Sequence, residues 1–149
     1  EEMIDKRATS SQAFVAMWFD PSMDDVYESG FSAAIAASGY SPLRIDRKEH
    51  DRKIDDQIIA EIRRSAFVVA DFTGHRGGVY YEAGFAHGLG RSVILTCRRN
   101  ELSKLHFDVR QYNTIPWDTP GDLVAPLQNR ILALFGAGIL KPDAKPIPI

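Results

Sequence analysis

The sequence predicts an α/β fold, a flavodoxin-like doubly wound parallel sheet of about five strands with helices on both faces. Two patterns carry that prediction. Strand-like and helix-like segments alternate along the 149 residues. Several of the strand segments are nearly continuous runs of apolar residues, the signature of strands covered on both faces. Right-handed crossovers then favour the order 2-1-3-4-5, which places a switch point between strands one and three and a ligand crevice beyond their carboxyl ends.

Each element has its own reason. Residues 1 to about 11 are polar and aperiodic, whereas Ala13-Phe14-Val15-Ala16-Met17-Trp18-Phe19 is an apolar run of strand length. Asp20-Pro21-Ser22 reads as a turn and helix cap. The helix behind it, with Asp24 and Asp25 in its first turn, carries Val26, Phe31 and Ile35 until Gly39 stops it. Tyr40 to Ile45 is a second strand, marked for a sheet edge by Pro42. Ile54, Ile58, Ile59 and Ile62 recur at helical spacing and define a helix over Lys53 to Ser65. Phe67 to Asp71 is the third strand, Val79 to Leu89 the third helix, Ser92 to Cys97 the fourth strand and Tyr112 to Trp117 a short last strand. Leu123, Leu127, Ile131 and Leu134 form a closing amphipathic helix ended by Gly136. A single domain is expected, with its core at about 13–136 and with 1–11 and the proline-rich 137–149 as irregular tails or linkers.

Composition narrows the function classes. Hydrophobic residues make up 44% and charged residues 26%, with a net charge of -2. That balance argues against a nucleic-acid polymer as partner, because phosphate backbones are met by strongly basic surfaces. Arg44, Arg47, Lys48, Arg52 and Lys53 alternate with Asp46, Glu49 and Asp51 and read as a solvated edge. Cys97, the single cysteine, follows Val93-Ile94-Leu95 and is expected to be a buried thiol in a reducing, cytoplasmic setting. The histidines lack the spacing of metal ligands, so no metal is expected. No apolar run is long enough to span a bilayer, and the N-terminus lacks a signal-peptide order, so no membrane partner is expected. The start at Glu1 rather than Met leads us to expect a piece of a longer protein.

Candidate chemistry concentrates between Phe67 and Gly84. A β-branched strand ends at Asp71, the turn Phe72-Thr73-Gly74-His75-Arg76-Gly77-Gly78 follows, and Glu82 rides in the first turns of the next helix. The glycines let backbone N–H groups face an anionic or ribosyl ligand at the helix N-terminus. Thr73, Gly74, Gly77 and Gly78 are therefore candidate binding residues. Trp18, Phe19 and Asp20, at the end of strand one, are expected at the same crevice. Plainer readings exist: Glu82 as a partner for the helix dipole, worth about 0.3–1 kcal/mol when exposed, and Asp71 as a turn cap. Gly84, Gly88 and Gly90 read as positions that let the third helix lie close against the sheet.

The block Asp71-Phe72-Thr73-Gly74, then Gly78-Val79-Tyr80-Tyr81-Glu82-Ala83-Gly84-Phe85-Ala86-His87-Gly88-Leu89-Gly90-Arg91, then Val93-Ile94-Leu95 resembles the nucleoside 2-deoxyribosyltransferase-like superfamily, related in fold to bacterial TIR-like domains. His106-Phe107-Asp108-Val109-Arg110-Gln111-Tyr112 is similar to a feature of such proteins in bacterial defence loci. The resemblance spans roughly residues 13–117 and is specific as a block rather than piece by piece. Gly78 departs from it, standing where many relatives carry asparagine.

The resemblance implies cleavage or transfer at the N-glycosidic bond of a nucleoside, a nucleotide or NAD. Glu82 is then the catalytic carboxylate, stabilising or attacking the oxocarbenium-like C1′. NAD enters as a substrate, and no cofactor is implied. Asp71, ahead of Asp20, is expected to supply or orient a proton for the leaving base. Trp18 or Phe19 is expected to stack on that base, Tyr80 or Tyr81 to orient Glu82, and Arg110 to meet a phosphate in its own subunit or across a dimer. One glutamate serves a hydrolase and a transferase alike, so both stay open. An exposed crevice in so small a domain is usually completed by a neighbour, so a homo-oligomer or a larger multidomain protein is expected. The alternatives are a non-catalytic nucleotide-binding sensor and a response-regulator-like interaction module. Against the latter, Arg98 and Arg99 stand where a lysine is required after strand four.

Overall fold

Gln12–Ala16 (β1), Ser41–Leu43 (β2), Phe67–Asp71 (β3), Val93–Arg98 (β4) and Ile115–Trp117 (β5) form an all-parallel sheet in the order β2-β1-β3-β4-β5. The computed structural model describes residues 10–45, 56–105 and 113–148. Order and class are those expected from the sequence, and Pro42 lies in an edge strand, where its missing N–H costs no ladder bond.

Strand alternation divides the core into two layers. Ala13, Val15, Phe67, Val69, Ile94, Ile115 and Trp117 point to one face of the sheet. That face is covered by Asp24–Val26 (α1), a π-helical stretch Tyr27–Ser32, Ala33–Ala37 (α2) and Pro120–Phe135 (α5), which contribute Phe31, Ile35, Leu123, Leu127 and Ile131. Phe14, Ala16, Val68, Ala70 and Cys97 point the other way, under Asp56–Arg64 (α3) and Gly77–Gly88 (α4), which contribute Ile58, Ile62, Val79, Ala83 and Ala86.

Local signals set the helix ends. The Asp20 carboxylate accepts the Ser22 N–H at 3.0 Å and opens the first helical region through the 3-10 turn Pro21–Met23. Thr119 and Asp122 form a capping box at the start of α5, with Pro120 in its first turn, and Gly136 ends it at φ 76°. Gly30 has a packing reason: a Cβ there would stand 3.0 Å from Leu123 Cδ2, so its absence lets α5 approach.

Several boundaries differ from expectation. β1 ends at Ala16, not at Phe19, because the Trp18 carbonyl accepts a hydrogen bond from Arg44 Nη2 at 3.3 Å, outside any strand ladder. The first helix is interrupted by its π-helical stretch. The expected starts of the second helix at Lys53 and of the last strand at Tyr112 lie outside the described residues. The tail is irregular, yet it is tied down rather than a free linker. Gly138 N–H donates to the Ser38 carbonyl at 2.8 Å, and Asn129 exchanges two bonds with the backbone of Ile147. Among the described residues no helix is long and apolar enough to cross a membrane.

Candidate functional site

The carboxyl end of β3 is a locked corner. Asp71 is completely buried. By alternation it shares the face of Phe67 and Val69, and its Oδ2 accepts the Thr96 hydroxyl at 2.6 Å and the Trp117 indole N–H at 2.8 Å. Its Oδ1 accepts the Thr73 N–H at 3.0 Å, the turn-capping bond. Burial pushes the Asp71 carboxyl above its usual value of 3.8, against the opposing pull of its bonds to Thr96, Trp117 and Thr73. Thr96, a hydroxyl that donates or accepts, accommodates either protonation state. Asp71 therefore joins the ends of β3, β4 and β5. With no accessible surface and its three bonds directed into the fold, Asp71 is held as a brace between the strand ends.

The loop after Asp71 is also stapled. Thr73 is buried, and its Oγ1 accepts the Arg98 N–H at 2.9 Å. Gly74 takes φ 87°, and its N–H donates to Glu101 Oε1 at 2.8 Å. The amide expected to face a ligand thus already faces a carboxylate of the chain itself. His75 adopts φ 52°, unusual outside glycine, with Nε2 3.4 Å from Glu101 and Nδ1 3.5 Å from the Tyr80 hydroxyl. Gly77 and Gly78 open α4 behind Arg76, whose side chain makes no capping bond, and a Cβ at Gly77 would meet open space. Among the described residues this helix start carries no N-cap side-chain bond, as an anion-facing helix start requires.

At the end of β1 the two aromatic rings already carry cations. The Arg76 guanidinium lies 4.5 Å from the Trp18 ring centre, and that of Arg44 lies 3.9 Å from Phe19 and 5.0 Å from Tyr27. Trp18 also packs against Gly74, where a Cβ would stand 2.5 Å from the indole. Arg44, read from the sequence as part of a solvated edge, has a side chain only 8% exposed, with Nη1 3.3 Å from Asp24 and Nε buried with no hydrogen-bond partner among the described residues. Its signal lay in strand alternation past Leu43, masked by the charges around it. Arg76 and Glu101 were likewise missed, since neither sits in a motif. Asp20 is occupied as a cap by the Ser22 N–H and hydroxyl, at 3.0 and 2.6 Å.

Glu82 is 2% exposed, on the buried side of α4 with Val79, Ala83 and Ala86. It lies five residues into the helix, about 7 Å along its axis from the first residue. Tyr81 is 68% exposed and points away from the sheet, whereas Tyr80 turns inward and stacks on Phe72 at 4.4 Å. Of the two tyrosines Tyr80 is the one able to act near the fold. Asp71 lies by alternation on the sheet face of α1, α2 and α5, where Trp18 also packs, whereas Glu82 rides on α4 on the other face. Arg110 lies outside the described residues. Gly84, Gly88 and Gly90 do not serve close packing, because a Cβ on any of them would meet nothing within 4 Å.

Two further groups are inert. Cys97 is buried, and desolvation, with Asp71 and Glu101 nearby, pushes its thiol up to about 12, far from a reactive thiolate. Among the described residues no three His, Cys, Asp or Glu side chains gather to hold a metal. Comparison with protein-family models and with curated proteins gives no match for this chain.

Proposed function

We propose that this protein cleaves or transfers at the N-glycosidic bond of a nucleoside, a nucleotide or NAD, with Glu82 as its catalytic carboxylate. One observation carries the reading: Glu82 is an acid with 2% exposure on a helix that begins beyond the carboxyl end of β3. A glutamate that served only the helix dipole would do so equally well exposed, without the desolvation that burial imposes. The resemblance of the Asp71–Leu95 block to the nucleoside 2-deoxyribosyltransferase-like superfamily supplies the chemistry. The C1′–N bond breaks and the base leaves with the bonding pair, nicotinamide as a neutral molecule and a nucleoside base with a proton taken from solvent, while a Glu82 oxygen bonds to C1′ or faces its positive charge. Water, giving up a proton to solvent, or a second base then bonds to C1′ as any Glu82–C1′ bond breaks, giving hydrolysis or transfer. In this scheme Gly77 and Gly78 offer amides, Arg76 offers a cation, and Asp71 braces the strand ends without touching substrate. A homo-oligomer in the cytoplasm, acting without a cofactor, is the setting this reading expects.

Incubation with NAD and with deoxynucleosides, followed by chromatography for free base, tests it. Wild type is expected to release base and Glu82→Gln to lose at least about a thousandfold, the scale of removing a catalytic nucleophile. Equal turnover by both proteins overturns the assignment. The sealing of Asp71 favours a second reading, a nucleotide-binding sensor, because it leaves the proton donor unassigned. Saturable nucleotide binding with no base release by wild type would select that reading.

A further inference from the structure

The flank of α4 away from Glu82 borders a cavity of about 640 Å3. Successive helical residues turn by about 100°, so Tyr80, Gly84 and His87 share one flank, beside β4, while Glu82 stands on the other. The cavity follows from the topology. Among the described residues β5 pairs with β4 only from Thr96 to Arg98. The Ser92 carbonyl and Thr96 carbonyl accept bonds from the amides of Val68 and Phe72, which by alternation turns the backbone of Val93 and Leu95 away from β3. Their side chains face the layer of α4 and remain half-buried, since among the described residues only the 3-10 helix Arg99–Lys104 follows β4 before β5.

The lining has a definite chemistry. Val93, Leu95 and Leu134 supply an apolar floor, and Leu134 is 57% exposed. His87, Arg91 and Arg130 line it as well, and among the described residues no acidic one does, although the chain as a whole carries a net charge of -2. Arg130 spends one N–H on the Asn113 carbonyl at 3.0 Å, out of the five its guanidinium offers. The volume falls within the roughly 300–1,000 Å3 of small-molecule pockets, which are mostly apolar with a few placed polar groups. Gly84 supplies the room, because a side chain there would project into this space without meeting protein.

We propose that this cavity is a second binding site, separate from Glu82, for a small amphipathic organic anion. Its aromatic or branched apolar body rests on Val93, Leu95 and Leu134, and its carboxylate, sulfonate or phosphate head is held by Arg130.

The probe is 2-naphthoate, with 2-naphthylmethylammonium as the matched cation, titrated into the whole chain by calorimetry and by amide-shift mapping. Naphthoate is expected to saturate one site per chain, with shifts centred on Gly84, His87, Leu95 and Leu134, and the cation to bind at least about tenfold more weakly. Gly84→Leu fills the space while improving helix propensity, and is expected to abolish binding in a protein that melts no lower than wild type. Arg130→Gln is expected to weaken naphthoate about tenfold and leave the cation unchanged. Leu134→Glu, at an exposed position, places a carboxylate on the rim and is expected to weaken naphthoate by a similar factor even if Gly84→Leu misfolds. Failure of naphthoate to saturate, equal affinity for the two probes, or unchanged affinity in Leu134→Glu would each overturn the proposal.

Discussion

The two sides of the carboxyl end of β3 are built on opposite principles. Toward β4 and β5, Asp71 takes directed hydrogen bonds from Thr73, Thr96 and Trp117 and has no accessible surface. Toward β1, contact is made by guanidinium groups over aromatic rings, Arg76 on Trp18 and Arg44 on Phe19, with Trp18 and Phe19 only partly buried. Directed bonds in a dry interior fix geometry, whereas cation–π contacts tolerate displacement and leave N–H donors for a ligand. The six residues Asp71–Arg76 therefore anchor on one side and present on the other. A positioned site requires that division, because groups that meet a ligand are held by neighbours that do not.

Truncating the anchor should have the largest effect. Asp71→Ala leaves the Trp117 indole, the Thr96 hydroxyl and the Thr73 amide without their acceptor in the core, and we expect a loss of about 3–5 kcal/mol. Urea unfolding followed by circular dichroism measures it, and a loss below about 1 kcal/mol would mean that the corner is not a lock. The same carboxyl gives stability a pH dependence of known sign. Its folded pKa is raised above the ordinary 3.8, so the folded state holds the proton more tightly than the unfolded chain. Its stabilisation is fully present below the unfolded value and is lost as pH rises through the folded one. Wild type compared with Asp71→Asn should show stability falling with rising pH from just above 3.8, and an opposite slope in that difference would contradict the assignment.

Gly74 joins the two sides, and its substitution should rank next. Alanine there meets a left-handed backbone at φ 87° and a Cβ position 2.5 Å from the Trp18 ring. The backbone contributes about 1–2 kcal/mol and displacement of the indole adds to it, for about 2–3 kcal/mol in all. Trp18 should become more accessible while Trp117, buried against Asp71, stays protected. Acrylamide quenching of tryptophan emission separates the two, and uniform quenching of both would show that the sides are not independent.

How much of this was legible in the sequence follows from which side a residue serves. Apolar runs such as Phe67–Ala70 and the helical spacing of Leu123, Leu127 and Ile131 report burial directly, so the sheet order and most elements could be read. Alternation would also have put Asp71 on the face of Phe67 and Val69, opposite Ala70, a step not taken from the sequence. Which helices cover that face depends on crossover geometry, however, and without it Asp71 and Glu82 seemed to share a crevice. Arg44 followed the alternation past Leu43 but was masked by the charges around it, and Arg76, exposed and set over the Trp18 ring, looks like any other charge in a polar stretch. Gly84, Gly88 and Gly90 misled for a related reason: a glycine signals either close approach or open space, and composition alone does not distinguish them.

The smallest effect is the most telling for the presenting side. Arg76 is exposed, makes no capping bond and contacts Trp18 through its guanidinium, so Arg76→Ala should change the urea midpoint little, by less than about 1 kcal/mol in stability. Its consequence should appear in binding. A cation beside the amides of Gly77 and Gly78 favours an anionic ligand, so the variant is expected to bind a nucleoside monophosphate about tenfold more weakly while its affinity for the unphosphorylated nucleoside is unchanged. Equal weakening of both ligands would assign Arg76 to holding the Trp18 ring rather than to reading charge. A stability loss as large as that of Asp71→Ala would erase the contrast between the two sides altogether.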